Sequence, residues 1–116
     1  MSMTLGEAQR LFASRVPRLI DRIYDMGYEC SIGDVFRDPR VHGKFGEKIG
    51  YAAPESVHKL KLAIDLNLFK DGQYLSDTEA HRPFGEYWVG LDPENHVWGG
   101  EWDDGNHYSF RMWGVA

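Results

Sequence analysis

Apolar positions recur at helical spacing through the first two dozen residues, then give way to shorter, alternating runs. Leu5, Ala8, Leu11, Phe12, Val16, Leu19, Ile20, Ile23 and Tyr24 fall on one stripe of a helix. Thr4 followed by Glu7 is a capping-box pattern and marks its start. Gly27 suits its C-terminal end, while Pro17, which has no N–H, is expected to kink or interrupt it. Residues 28–35 read as a strand leading into Phe36-Arg37. From Asp38 to Ser56 the pattern is broken by Pro39, Gly43, Gly46, Gly50 and Pro54. A loop of that length in a compact domain is usually functional, and it is expected to cover a groove. Residues 62–69 alternate as a strand does, and Asp71-Gly72 marks a hairpin turn. Residues 83–91 read as a second helix with Pro83 near its first turn, and residues 97–102 and 107–113 as a closing pair of strands. The sum is a small α+β domain, residues 1–116, with a mostly antiparallel sheet packed against an N-terminal helix and a second, shorter one.

Composition narrows the classes of function. With 116 residues the chain has room for one core and no second module, and four Trp, six Tyr and six Phe exclude a disordered tail. A formal net charge of −5 argues against nucleic acid and against an electrostatic membrane anchor. No apolar run is long enough to span a bilayer. Met1-Ser2-Met3-Thr4-Leu5-Gly6 lacks the basic flank and apolar stretch of a signal peptide, so synthesis in the cytoplasm is expected. Cys30 is the only cysteine, which rules out an intrachain disulfide. In a strand pattern it reads as a small buried hydrophobe rather than a nucleophile. A monomer is expected.

Chemistry concentrates in two places. His58 and Asp65 stand in one segment, and Asp104 and His107 close the chain's last polar turn. Two histidines and an aspartate can supply the three protein ligands of a catalytic zinc site, and a second carboxylate can manage the proton of a water at the fourth position. The first reading is therefore a small zinc hydrolase. His58 and Asp65 are an odd number of residues apart, so a continuous strand would send them to opposite faces. Both can face one metal only if the chain bends between Leu60 and Leu62. Asp103 competes with Asp104 for the role of base, since adjacent carboxylates look alike in sequence. His42, His81 and His96 lack partners at ligand spacing and read as surface or capping residues. Trp98 and Trp102 read as core residues on their inward faces that also contact a groove.

The pattern Ser56-Val57-His58, with Ala63 and Asp65 following, resembles the zinc peptidoglycan peptidases of the D-alanyl-D-alanine carboxypeptidase group, which includes phage L-alanyl-D-glutamate endopeptidases. Trp98-Gly99-Gly100-Glu101-Trp102 followed by Asp104 and His107 is similar to that family's closing motif, and Arg37 resembles its arginine beside the scissile bond. The likeness covers roughly residues 28–113. It implies a fold shared with the hedgehog signalling domain, with Zn2+ on His58, Asp65 and His107 and with Asp104 as general base. It further implies that Arg37 steadies the carbonyl oxygen and that Ser56, Trp98, Trp102 and Tyr108 contact substrate. The implied substrate is the stem peptide of peptidoglycan, cut after release from the cytoplasm during host cell lysis. The chain departs from the family at Lys61, where a glycine is usual. An Asp base, as in the phage enzymes, tilts the reading toward endopeptidase. The alternatives are a D-Ala-D-Ala carboxypeptidase of the same family and a non-catalytic, zinc-stabilised binding domain.

Overall fold

The computed structural model describes residues 3–38, 40, 44–48 and 56–116. The expectation of a groove cover between residues 38 and 56, and of a surface role for His42, falls largely on residues outside these. Helix α1 (Leu5–Asp25) opens with the reciprocal cap read from sequence. The Thr4 hydroxyl accepts from the Glu7 amide at 3.1 Å, and the Glu7 carboxylate accepts from the Thr4 amide at 3.0 Å. Ala8, Phe12, Leu19 and Ile23 form its buried stripe. Of the two outcomes expected at Pro17, a kink or an interruption, the interruption does not occur: Pro17 lies inside an unbroken α1. Its missing N–H would have served the carbonyl of Ala13. Both residues are exposed, so solvent can take the vacant acceptor.

Gly27, at φ +84°, ends the helix and turns the chain into strand β1 (Glu29–Ile32), shorter than the strand over 28–35 expected from sequence. Strand β2 (Ala63–Lys70) is the axis of the sheet. It pairs antiparallel with β1 along one edge, the contact extending to Gly33 and Asp34 through bonds at both sides of Asp65. Asp71 and Gly72, both at positive φ, turn β2 into strand β3 (Gln73–Leu75), the two-residue hairpin that the Asp-Gly pair signals.

Helix α2 (Thr78–Leu91) begins at Thr78 rather than at Pro83. Proline is common in a first turn, but here it sits in the helix interior, and the Glu79 carbonyl it leaves unserved is again on an exposed flank. Strand β4 (His96–Trp98) stops at Trp98, and Gly99–Trp102 is a 3-10 turn instead of the strand expected through residue 102. Strand β5 (His107–Phe110) closes the sheet in the order β1-β2-β5-β4, all antiparallel, with β3 sharing an edge of β2 with β5. This is an α+β fold. The inward face of the sheet, Ile64, Leu66, Leu68, Tyr108 and Phe110, packs with Phe12, Phe84 and Trp88 into one core.

His81 and His96, expected as surface or capping residues, are both buried, and His96 does act as a cap by bonding a carbonyl in the last turn of α2. His96 stacks on Trp88 at 3.9 Å, with Nδ1 bonded to the Trp88 carbonyl and Nε2 3.2 Å from Arg15, which also holds Asp92. It ties α1 to the end of α2. His81 is buried with Nδ1 2.8 Å from the Tyr108 hydroxyl. Cys30 is half-buried on β1. Among the described residues no helix is long and apolar enough to cross a membrane.

Candidate metal centre

Strand pairing brings the first two metal-ligand candidates together. Asp65 stands directly opposite His107 in the β2–β5 ladder, and cross-strand partners leave a sheet on the same face. That face is the one away from the helices, because Ile64 and Leu66 on either side of Asp65 enter the core. His58 comes from a different element, the 3-10 turn Val57–Leu60. Ser56 caps that turn, its hydroxyl accepting from the His58 amide at 3.2 Å. The bend required between His58 and Asp65 falls at Lys61, whose backbone is left-handed at φ +59° and ψ +38°. This conformation favours glycine, and the chain holds it with a lysine at a cost in strain.

One ligand atom from each of His58, Asp65 and His107 lies within 4.8 Å of the other two. His58 Nε2 is 3.2 Å from Asp65 Oδ1, and the two imidazole rings meet edge to face with centroids 5.3 Å apart. His58 Nε2, Asp65 Oδ1 and His107 Nε2 are all buried without a hydrogen-bond partner. Each such atom costs about 1–3 kcal/mol when nothing satisfies it. With one ligand atom of each residue within 4.8 Å of the other two, this group can hold a metal ion. Two imidazoles and a carboxylate suit a first-row divalent metal. The other nitrogen of His58 is fixed: Nδ1 lies 2.9 Å from the carbonyl of Val35, which as acceptor keeps the proton there and leaves the Nε2 lone pair for a metal. Burial, the strongest influence on Asp65, pushes its carboxyl up, but His107 and His58 together outweigh it and bring the pKa down to about 2. The ligand is therefore ionised at neutral pH.

His58 and His107 line a cleft of about 360 Å³ together with Arg37, Ser56, Trp102, Asp104 and Val115, and Asp65 lies behind them. The Asp104 side chain is about half exposed, with Oδ2 4.0 Å from His107 Nδ1. Asp103 is turned away from the cleft, accepting a hydrogen bond from the Thr78 hydroxyl at 2.8 Å. Its left-handed backbone, φ +58°, is what separates the two neighbouring carboxylates. Arg37 is held at the rim: its guanidinium donates to Ser56 Oγ at 3.0 Å and contacts Asp34 at 3.3 Å, while its backbone amide donates to the His58 carbonyl. Trp102, half exposed, forms a wall beside His107 with ring centroids 5.7 Å apart.

Two residues expected to contact substrate do not reach the cleft. Tyr108 is fully buried, because it follows His107 on β5 and so points to the opposite face. Trp98 is also buried and acts as the anchor of the Asp104 loop. Its indole N–H donates to the Gly105 carbonyl at 2.6 Å, and its ring lies where a Cβ on Gly85 or Gly100 would be. Gly99 permits the loop to fold back, since a Cβ there would sit 2.2 Å from the Asp104 carbonyl oxygen. Sequence reasoning missed the Val35 carbonyl, which any residue type could supply, and Val115, which folds back over the cleft through a bridge to Met112.

No protein-family model and no curated protein matches this chain, so the functional reading rests on the site and on the motif order.

Proposed function

We propose that this chain is a zinc-dependent peptidase that hydrolyses a peptide bond in the stem peptide of bacterial peptidoglycan, acting as a phage endolysin with L-alanyl-D-glutamate endopeptidase activity. The observation that carries the reading is the grouping of His58, Asp65 and His107, with both histidines lining a cleft that also holds Asp104 and Arg37. The order of these residues along the chain, which resembles that of the zinc peptidoglycan peptidases, supplies the substrate class.

Zinc, when bound to these three side chains, makes water a good nucleophile by lowering its pKa from about 15.7 to about 7. Asp104 is placed to take the proton as water adds to the scissile carbonyl carbon, then to deliver it to the amine as the C–N bond breaks. Its partial exposure lets it exchange protons, and Asp103 is kept from competing by its bond to Thr78. Arg37, in the lining of the same cleft, offsets the negative charge that grows on the carbonyl oxygen. Ser56 and Asp34 hold that guanidinium in place, which reduces the reorganisation needed during the reaction. Trp102 offers a flat apolar wall for the peptide.

Purified peptidoglycan incubated with the zinc-loaded protein is the test, with released fragments read by mass spectrometry. New L-alanine carboxyl ends and new D-glutamate amino ends, lost on chelation and regained with zinc, are expected. Released D-alanine would instead establish the carboxypeptidase alternative. An intact wall from fully loaded protein would favour a zinc-stabilised binding domain.

A further inference from the structure

Asp104 separates two cavities. Beyond it, on the side away from the metal ligands, lies a polar hollow of about 390 Å³ lined by Asp77, Thr78, His81, Asp103 and Gly105. We propose that this hollow is a binding site for a primary ammonium group of the substrate, held by Asp77 and Asp103, with His81 donating to a carbonyl beside it. The proposal rests on the peptidase reading for its place in a reaction and extends it to the side chain that the enzyme selects.

The floor of the hollow carries an uncommitted donor. His81 is 3% exposed, and its Nδ1 is taken by the Tyr108 hydroxyl at 2.8 Å. Tyr108 is fully buried and that nitrogen is its hydroxyl's only partner among the described residues. A buried hydroxyl proton without an acceptor is costly, so Tyr108 donates and the ring proton of His81 stands on Nε2. Nε2 has no hydrogen-bond partner among the described residues and is not sealed from solvent, which places it at the hollow. Burial keeps the ring neutral, with its pKa lowered to about 4 even though Asp77 pulls the other way. His81 thus presents one neutral N–H.

Around that donor stand the carboxylates of Asp77, Asp103 and Asp104, with Ser76 and Asn106 beside them able to donate or accept. Asp77 precedes α2 but makes no capping bond with its side chain. Asp103 accepts from Thr78 through Oδ1, and Oδ2 has no described partner. Gly105 brings its backbone close to Thr78, where a Cβ would meet the Thr78 Cα at 2.7 Å. Asp77 and Asp103, with Asp104 at the boundary and one neutral N–H donor, match an ammonium with an adjacent carbonyl. A metal ion fits less well, because the N–H turned into the hollow would face it. A substrate lying across Asp104 would place its scissile bond on the metal side and an amine-bearing side chain on this side.

The test is a titration of the zinc-loaded full chain, followed by amide NMR, with Nα-acetyl-lysine amide and with its Nε-acetylated counterpart, neither of which contains a stem-peptide bond. The free amine is expected to shift the signals of Thr78, Gly105 and Asn106. Acetylation, or Asp77→Asn, is expected to weaken binding about fivefold, the upper end for one exposed ion pair. Equal binding of the two probes, or shifts confined to other residues, overturns the proposal, as does displacement of the amine by calcium chloride that reproduces its shifts. In a parallel arm, wall with acetylated side-chain amines is compared with untreated wall. Cleavage of both with equal kcat/KM refutes the ammonium site and leaves the peptidase reading standing. Selective amine binding by protein that cleaves neither supports the site and refutes the peptidase reading.

Discussion

His107 lies directly opposite Asp65 across the β2–β5 ladder, while Tyr108 and Ile64, one residue along each strand, pair on the other face. One register therefore sends two metal-ligand candidates outward and two core side chains inward. A slip of one residue would bury the ligands and expose the core, so the site and the fold stand or fall together.

Asp104 and Asp103 are adjacent in sequence and both line the polar hollow, but only Asp104 also lines the cleft of the two histidines, so their substitutions should separate. Asp104→Asn is expected to keep one zinc per chain and to lose about 10²–10⁴-fold in turnover, the usual contribution of a general base. Asp103→Asn is expected to keep both metal and the chemical step. Metal content and single-turnover rates on wall fragments check this. Normal turnover in Asp104→Asn would remove it from the mechanism.

Burial of Tyr108 against His81 makes it a structural residue. Tyr108→Phe leaves His81 Nδ1 buried without a partner and should cost about 1–3 kcal/mol in urea unfolding. Turnover per folded molecule is expected to hold. A raised KM with unchanged stability would return Tyr108 to the groove.

Lys61 occupies a left-handed turn that favours glycine. Lys61→Gly should raise stability by about 0.5–1 kcal/mol, relief of strain outweighing the added freedom of the unfolded chain and the lost contact with Phe36. Lys61→Val should lower it by more than about 1 kcal/mol, since a β-branched side chain is disfavoured there. Thermal unfolding of the zinc-loaded proteins reads both, and a less stable glycine variant would contradict the strain.

His81 gives the stability a pH dependence. Its pKa is near 4 folded and 6.5 when unperturbed, so between these values the unfolded chain binds a proton that the folded chain rejects. Its contribution is complete above about pH 6.5 and is lost as the pH falls toward 4. Discounted for solvent in the adjoining hollow, the loss is on the order of 2 kcal/mol. Burial lowers His96 in the same direction, so the difference between wild type and His81→Gln isolates the one ring. Parallel urea-unfolding curves from pH 7 to 4 would contradict the assignment.

The elements most legible in sequence were those set by local chemistry. The Thr4–Glu7 cap and the Asp71-Gly72 hairpin are decided by a few neighbouring residues and appear where expected. The start of α2 was missed because Pro83 resembles a first-turn residue, and only the exposure of Glu79 shows why it is tolerated further in. Burial of His81 and His96 was hidden because Tyr108 and Arg15, which satisfy them, are distant in the chain. Within the site, His58, Asp65, Asp104 and His107 were legible from residue type and order. Tyr108 follows His107 on the strand expected from residue 107, and alternation along that strand sends it to the opposite, buried face.

The most direct measurement is a zinc titration of the metal-free chain, with bound zinc and wall-fragment release recorded at each step. The account predicts that both rise together and level off at one zinc per chain, and that neither rises in His107→Ala. Saturation at one zinc with no fragments released, or undiminished zinc binding by His107→Ala, would contradict it.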